Sequence, residues 1–248
     1  MTELGLCIEG GRLYARAPPG AQRRGTVGRY RPRTTRTIAS SARVCQPVSM
    51  TNSDEKGDLV HYLTAARGAV AWKLEGLTEY DLRRPVVPTG TNLLGLVKHL
   101  ASIEVWYFGL VFDRPFPEDL PWLADDAPDN ADMWALQSES SRYIRDLYQR
   151  ATDHSDATIA QLDLDSPGVV PWWGDEGNVT LRLILVHVIA ETNRHAGHAD
   201  IARELIDGNV GLRRDVSNLP DQSRTWWSDY RTQLEEVAQS FNEQPPQP

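Results

Sequence analysis

The stretch LILVHVIAETNRHAGHADIARELIDG, residues 183–208, decides the fold class of this chain. Each helical residue advances by about 100°, so positions four and three apart return to one face of a helix. Four side chains that can bind metals fall within a sector of about 80° on that face: His187, Glu191, His195 and His198. Ile184 and Ile201 lie around them on that face, so we expect a buried, apolar face rather than a solvated one.

A buried carboxylate among imidazoles needs a partner, and a divalent metal ion satisfies both kinds of ligand. Glu191 and His195 are spaced i, i+4, which places them about 6 Å apart and able to bind one ion. The third ligand must come from another helix, and His99 is the obvious donor. Two histidines and one carboxylate leave a coordination position open, which is typical of a catalytic metal site rather than a structural one.

Other interpretations of these residues stay open. Taken alone, His99 fits a hydrogen-bonded core histidine better than a ligand, and His187 and His198 are weaker ligand candidates. Gly197 inside the helix suggests close approach of another backbone or ligand, or simple tolerance. The preceding Trp172–Trp173–Gly174 motif is interpreted either as a lid over the site or as a hydrophobic plug.

Apolar residues recur at spacings of three and four along most of the chain. This periodicity predicts helices over 54–76, 92–112, 129–153 with a further piece at 154–162, 179–207 and 221–241. We predict a loop over 78–90 and a loop or small hairpin over 163–180, because proline and glycine interrupt both. The fold class is therefore all-α, a four-helix bundle with an extra C-terminal helix, over residues 51–242.

Composition excludes several classes of protein. The net charge is −8 and the body is acidic, which does not suit a nucleic-acid partner. We expect no membrane span, because no apolar run approaches about 18 uninterrupted residues. Cys7 and Cys45 both precede the body, which excludes a disulfide framework, a cysteine nucleophile or a cysteine-based zinc site there. A reducing cytoplasm is the default location.

Residues 1–50 form an arginine-rich, acid-poor tail that we predict to be disordered, as is the terminal segment 243–248. Met50 directly precedes the point where helical periodicity begins. We hypothesise that translation starts at Met50 and that the preceding segment is an artefact of start assignment. The alternative is a genuine disordered basic arm.

Four runs of sequence resemble a known superfamily. They are WKLEGL (72–77), PTGTNLLGLVKHL (88–100), WWGDEGNVTLR (172–182) and HVIAETNRHAGHADIARELIDG (187–208). In this order they resemble the DinB-like superfamily, and in particular its actinobacterial mini-circle (DUF664) branch, over about 58–240.

The resemblance implies a four-helix bundle, a possible homodimer, and a divalent metal bound by three residues. The superfamily's ligand in a KHL context falls on His99, and its later i, i+4 pair falls on Glu191 and His195. The usual HxxxH is here ExxxH, which is similar to the His, Glu, His zinc site of mycothiol-dependent maleylpyruvate isomerase.

The resemblance also implies a thiol-dependent reaction, because known activities in the superfamily mostly use mycothiol, bacillithiol or glutathione. We predict a metal-dependent thiol S-transferase that acts on an electrophilic small molecule, with Zn²⁺ as the first candidate and Ni²⁺, Fe²⁺ or Mn²⁺ also suited. The metal would activate the low-molecular-weight thiol, and no separate catalytic residue is named. The alternatives are a non-catalytic metal-binding or stress-response protein and a metal-dependent hydrolase.

Overall fold

A computed structural model describes residues 55–242. Six α-helices lie in this part of the chain: α1 (Glu55–Trp72), α2 (Glu79–Arg83), α3 (Leu93–Glu104), α4 (Ser141–Gln161), α5 (Leu181–Asp207) and α6 (Arg224–Gln239). The predicted tails at 1–50 and 243–248, and the proposed start at Met50, lie outside the described residues.

The bundle is built from α1, α3, α4 and α5. Helix α1 packs on α5, and α3 packs on both α4 and α5. The core falls into two groups of buried side chains, one around Leu96 and Leu147 and the other around Phe108 and Ile184. The predicted all-α fold class is confirmed.

Helix α3 is the central core helix and leads directly into less regular helical turns. Asn92 caps it by accepting a hydrogen bond from the backbone amide of Gly95 at 2.8 Å. A π-helical segment (Val105–Gly109) and a 3₁₀ turn (Leu110–Phe112) continue it, which confirms the predicted helix over 92–112. This Leu93–Phe112 stretch is long and apolar enough to cross a membrane, but it is 83% buried inside the protein, as expected of a core helix.

The first two predicted segments differ in detail from the structure. Helix α1 ends at Trp72 rather than 76, because the chain turns there and reaches a positive φ of 71° at Gly76. The predicted loop over 78–90 contains the short helix α2. Thr78 initiates α2 by accepting a hydrogen bond from the amide of Asp81.

The predicted start of the third long helix is wrong. Helix α4 begins at Ser141 instead of 129, with Ser140 as its cap, and it continues to Gln161 as the extra piece at 154–162 suggested. The carbonyl groups of Trp134, Ala135, Leu136 and Glu139 accept hydrogen bonds from side chains of other segments. Lys98 donates to the carbonyl of Trp134 at 3.1 Å, and Arg83 donates to those of Ala135 and Leu136. Such tertiary contacts override local helix propensity.

A small hairpin precedes α5, as one of the two predictions for 163–180 allowed. Strand β1 (Pro167–Val169) pairs antiparallel with β2 (Asn178–Thr180), with Gly168 opposite Val179. The 3₁₀ segment Pro171–Glu176 connects the strands. Thr180 then caps α5 by accepting a hydrogen bond from the amide of Leu183, and Gly208 ends the helix at φ 75°.

Helix α6 confirms the predicted C-terminal helix but buries none of its residues within the described chain. Trp226 and Tyr230 stack on its surface with ring centroids 5.1 Å apart. The core that positions the candidate site is therefore formed without α6.

Candidate functional site

Helices α3 and α5 run antiparallel and place the predicted ligands opposite each other. The rings of His99 and His195 have centroids 4.8 Å apart, and two turns further along α3 the rings of Tyr107 and His187 are 4.6 Å apart. The contact residues thus increase in number along α3 and decrease along α5, as in antiparallel helices. Glu191 lies one turn of α5 from each of the two histidines, between the two contact points.

His99 is held by a carboxylate that the sequence analysis missed. Its Nδ1 lies 2.6 Å from Oδ2 of Asp132, and both side chains are less than one fifth exposed. Burial alone would raise the pKa of Asp132, but the hydrogen bond and charge of His99 hold that pKa below its ordinary value. An ionised carboxylate only accepts hydrogen bonds, so Nδ1 carries the proton and the Nε2 lone pair points away from Asp132.

Glu191 and His195 form an ion pair on α5. The distance between Nε2 of His195 and Oε2 of Glu191 is 3.6 Å, and His195 is 8% exposed. The facing imidazole of His195 holds the pKa of Glu191 below its ordinary value, against the opposing effect of burial. Glu191 therefore carries negative charge at neutral pH.

His198 contacts this pair without being part of the buried face. Its Nδ1 lies 3.4 Å from Nδ1 of His195, while its side chain is largely exposed. Burial, followed by the charge of His195, lowers the pKa of His198 below its ordinary value. The contact fits the sequence interpretation of His198 as a residue beside the ligands.

The predicted burial of the whole four-residue face is only partly correct. Ile184 is fully buried, but Ile201 is 59% exposed, because it lies about 120° around the helix from His195, while its neighbours Ala199 and Ala202 face the core. Within the described residues, a Cβ placed on Gly197 would meet no atom of a neighbouring segment within 4 Å, so no other backbone approaches this glycine closely. Of the four polar residues His187, Glu191, His195 and His198, only His195 is buried.

The three predicted ligands lie close together but do not yet surround one point. Within residues 55–242, no three His, Cys, Asp or Glu side chains are arranged around a common centre as they stand. In this arrangement the two nitrogens of His195 face Glu191 and His198. The donor types nevertheless fit a divalent ion, since two imidazoles and an ionised carboxylate are common ligands of such ions.

Nearby charged residues on α5 have structural partners. Asp200 forms an ion pair with the buried Lys73, and Arg203 forms one with Asp207. Arg182 pairs with Glu55 and Asp165 at the surface, as expected of a surface residue rather than a substrate contact. These side chains stabilise the bundle around the site.

The Trp172–Trp173 segment packs against the far end of the α3–α5 groove. The Trp173 ring lies 5.0 Å from the His187 ring, and Trp172 lies 5.6 Å from Trp106. Trp172 remains 45% exposed, whereas Trp173 is partly buried against the second core group. Burial lowers the pKa of His187 below its ordinary value, although Glu191 opposes the shift, so His187 is uncharged at neutral pH.

Residues 58–208 match the family described as mycothiol-S-transferase. This range covers more than half of the chain and includes all three predicted ligands, so the protein belongs to that family, which is part of the DinB-like superfamily. No curated protein matches the chain.

A solved structure supports the fold independently. The chain is similar to a crystal structure described as the conserved protein of locus from Enterococcus faecalis, with a TM-score of 0.51. The similarity covers 64% of this chain and 100% of that chain at 15% sequence identity. At this identity the likeness concerns the fold alone.

Proposed function

We propose that the protein is a metal-dependent thiol S-transferase whose divalent ion is held by His99, Glu191 and His195. The family match supports the transferase class, and one observation supports the location. The ring centroids of His99 and His195, from two different helices, lie 4.8 Å apart, with ionised Glu191 paired to His195. When bound there, a divalent ion would supply the positive charge that lowers the pKa of a thiol from about 8.5 toward neutral.

The thiol has to come from a second molecule. Cys7 and Cys45 are the only cysteines, and both precede the family match that begins at residue 58. A low-molecular-weight thiol such as mycothiol, present in a reducing cytoplasm, would supply the nucleophile. In the reaction its sulfur forms a bond to the electrophilic carbon, and the thiol proton passes to solvent. The leaving group departs with the electron pair of the bond that breaks.

The protein's own residues contribute orientation and charge. Asp132 holds the Nδ1 proton of His99 and keeps the ring in the tautomer that presents Nε2 toward α5. Asp132 and Glu191 together place negative charge beside three histidines, which favours a cation over an anion at this point of the groove.

The test is a conjugation assay on metal-depleted protein, with and without added Zn²⁺ or Mn²⁺. Mycothiol and an electrophile are supplied, and the thioether product is measured by mass spectrometry. We expect product only with metal, and we expect His195→Ala to abolish it while His61→Ala, at an exposed histidine of α1, does not. Undiminished conjugation in metal-free protein or in His195→Ala would contradict the proposal, and turnover without thiol would indicate a hydrolase.

A further inference from the structure

A surface cavity lies beyond the end of α3, separate from the histidine cluster. Its volume is about 540 Å³, within the usual range of small-molecule sites. Apolar side chains form most of its wall, chiefly Trp106, Leu110, Phe116, Leu120 and Leu123.

The wall of this cavity is fixed by specific contacts. The segment after α3 crosses Gly109, where a Cβ would lie 3.1 Å from the carbonyl oxygen of Arg114. Nε2 of His154 lies 2.8 Å from that same carbonyl oxygen, within hydrogen-bond distance. At the other end Trp122 donates to the hydroxyl of Ser102 at 3.0 Å. The cavity is therefore held open by a tethered segment.

Trp106 links the cavity to the proposed metal site. It lies seven residues after His99, in the π-helical segment that continues α3, so the two residues are separated by about 10 Å along the helix. Trp106 also contacts Trp172, with ring centroids 5.6 Å apart and ring planes tilted by 49°. A ligand against Trp106 would therefore lie about two helical turns from His99, beside the Trp172 segment.

The charges at the cavity disfavour an anionic ligand. Among the described residues, Glu118 and Asp119 are the only charged side chains that line it, and no lysine or arginine does. Glu118 is paired with Arg150 through two hydrogen bonds of 2.5 and 2.8 Å, while Asp119 is exposed. Aromatic and aliphatic walls with an acidic rim suit a flat, uncharged molecule.

We infer that this cavity binds the aromatic, uncharged portion of the electrophilic substrate, with its ring against Trp106. Naming the ligand as the electrophile rests on the proposed transferase function, whereas the binding itself does not. The distance of about 10 Å between Trp106 and His99 implies an electrophile whose reactive carbon extends from the ring toward the histidines.

Two related fluorescent probes test the binding on full-length, metal-depleted protein. N-phenyl-1-naphthylamine is uncharged, and 1-anilinonaphthalene-8-sulfonate carries the same ring system with a negative charge. We expect the uncharged probe to bind more tightly. Leu110→Gln, at a half-exposed position of the cavity wall, and Trp106→Ala should each weaken its binding about tenfold.

The control is Leu205→Gln, at a leucine of α5 that is 59% exposed and distant from the cavity lining. It should leave the dissociation constant of the uncharged probe unchanged. Equal weakening by Leu205→Gln, or no effect of Leu110→Gln, would overturn the inference. Because Leu110 is 49% exposed, its replacement leaves the core intact even if Trp106→Ala does not fold.

Kinetics separate this inference from the proposed function. In Leu110→Gln we expect KM for N-(1-naphthyl)iodoacetamide, whose reactive carbon lies on a chain attached to the ring, to rise several-fold, with KM for iodoacetamide, KM for the thiol and metal content unchanged. If the variant were active with an unchanged KM for the aromatic electrophile, the inference about the cavity would be refuted, but the transferase function would not. Probe binding that depends on Leu110, in a protein that conjugates no electrophile, would support the cavity and refute the transferase function.

Discussion

Two polar clusters inside the bundle differ in how completely their charges are matched. In the first, Arg67 makes three contacts of 2.7 Å, two with Glu104 and one with Asp156. Burial alone would lower the pKa of Arg67, but the two carboxylates raise it above its ordinary value. In the second, His99, His195 and Glu191 meet at longer distances, with ring centroids 4.8 Å apart and an ion-pair distance of 3.6 Å.

The difference separates a structural cluster from a binding cluster. Arg67 and Glu104 are almost fully buried and satisfy each other, so no further ligand is needed there. In the histidine cluster the carboxylates of Asp132 and Glu191 stay ionised with imidazoles as their hydrogen-bond or ion-pair partners. Loss of a residue should therefore affect stability in the first cluster and ligand binding in the second.

The largest effect is expected from breaking the first cluster. Glu104→Ala leaves Arg67 buried with only the exposed Asp156, so the free energy of unfolding should fall by about 3–5 kcal/mol. Urea unfolding of metal-depleted protein measures it. The control Asp146→Ala removes a surface ion pair with Arg142 and should cost less than about 1 kcal/mol. If Glu104→Ala and Asp146→Ala lowered the free energy of unfolding equally, the first cluster would be no more important for stability than a surface ion pair.

The second cluster should respond to metal instead. Added Zn²⁺ or Mn²⁺ at about 100 times its dissociation constant should stabilise the parent protein by about 2.7 kcal/mol, because the ion binds only the folded state. His195→Ala should lose this stabilisation entirely, as measured by thermal unfolding with and without metal. Equal stabilisation of the parent and the variant would place the metal elsewhere.

Asp132 allows a finer test of the same cluster. Asp132→Asn keeps the size of the side chain but removes the charge that orients His99, so metal affinity should fall about 10- to 100-fold. Competition with a chromophoric chelator gives the affinity. Asp129→Asn, at an exposed neighbouring aspartate, is the matched control. An unchanged affinity in Asp132→Asn would mean that its contact with His99 does not support a ligand.

The smallest expected effect concerns pH. Burial lowers the pKa of His187 in the folded protein below 6.5, the ordinary value that it has in the unfolded chain. Between the folded and the unfolded pKa, the unfolded chain therefore binds more protons than the folded one. The stability of metal-free protein should therefore rise with pH through this window and fall as the solution is acidified below about 6.5. His187→Phe should reduce that slope in unfolding measurements from pH 5 to 8. If the stability of His187→Phe depended on pH as steeply as that of the parent, His187 would not be the source of the pH dependence.

Local signals in the sequence were sufficient for α5 and its histidine face. Thr180, Gly208 and the i, i+4 spacing of Glu191 and His195 act within a few residues, so their effects follow from the helix alone. Periodicity gives the angle between two side chains but not the direction from which neighbouring helices cover them, and beside Ile201 the covered residues are Ala199 and Ala202. The exposure of Ile201 therefore could not be predicted.

Tertiary contacts account for what the sequence did not predict. Asp132 reaches His99 across 33 positions of the chain, and no local motif links them. The late start of α4 depends on Lys98 and Arg83, which bind carbonyl groups in 134–139. The cavity beside Trp106 likewise depends on the return of the segment after α3 over Gly109.

The central claim is that His99, Glu191 and His195 hold one divalent ion. Elemental analysis of protein purified without chelator or nickel column tests it most directly, beside the three alanine variants at these positions and the control His61→Ala. We predict about one metal per chain in the parent and in the control, and a loss in all three variants. Metal-free parent protein that also takes up none on reconstitution would contradict the claim and make these residues a polar part of the core.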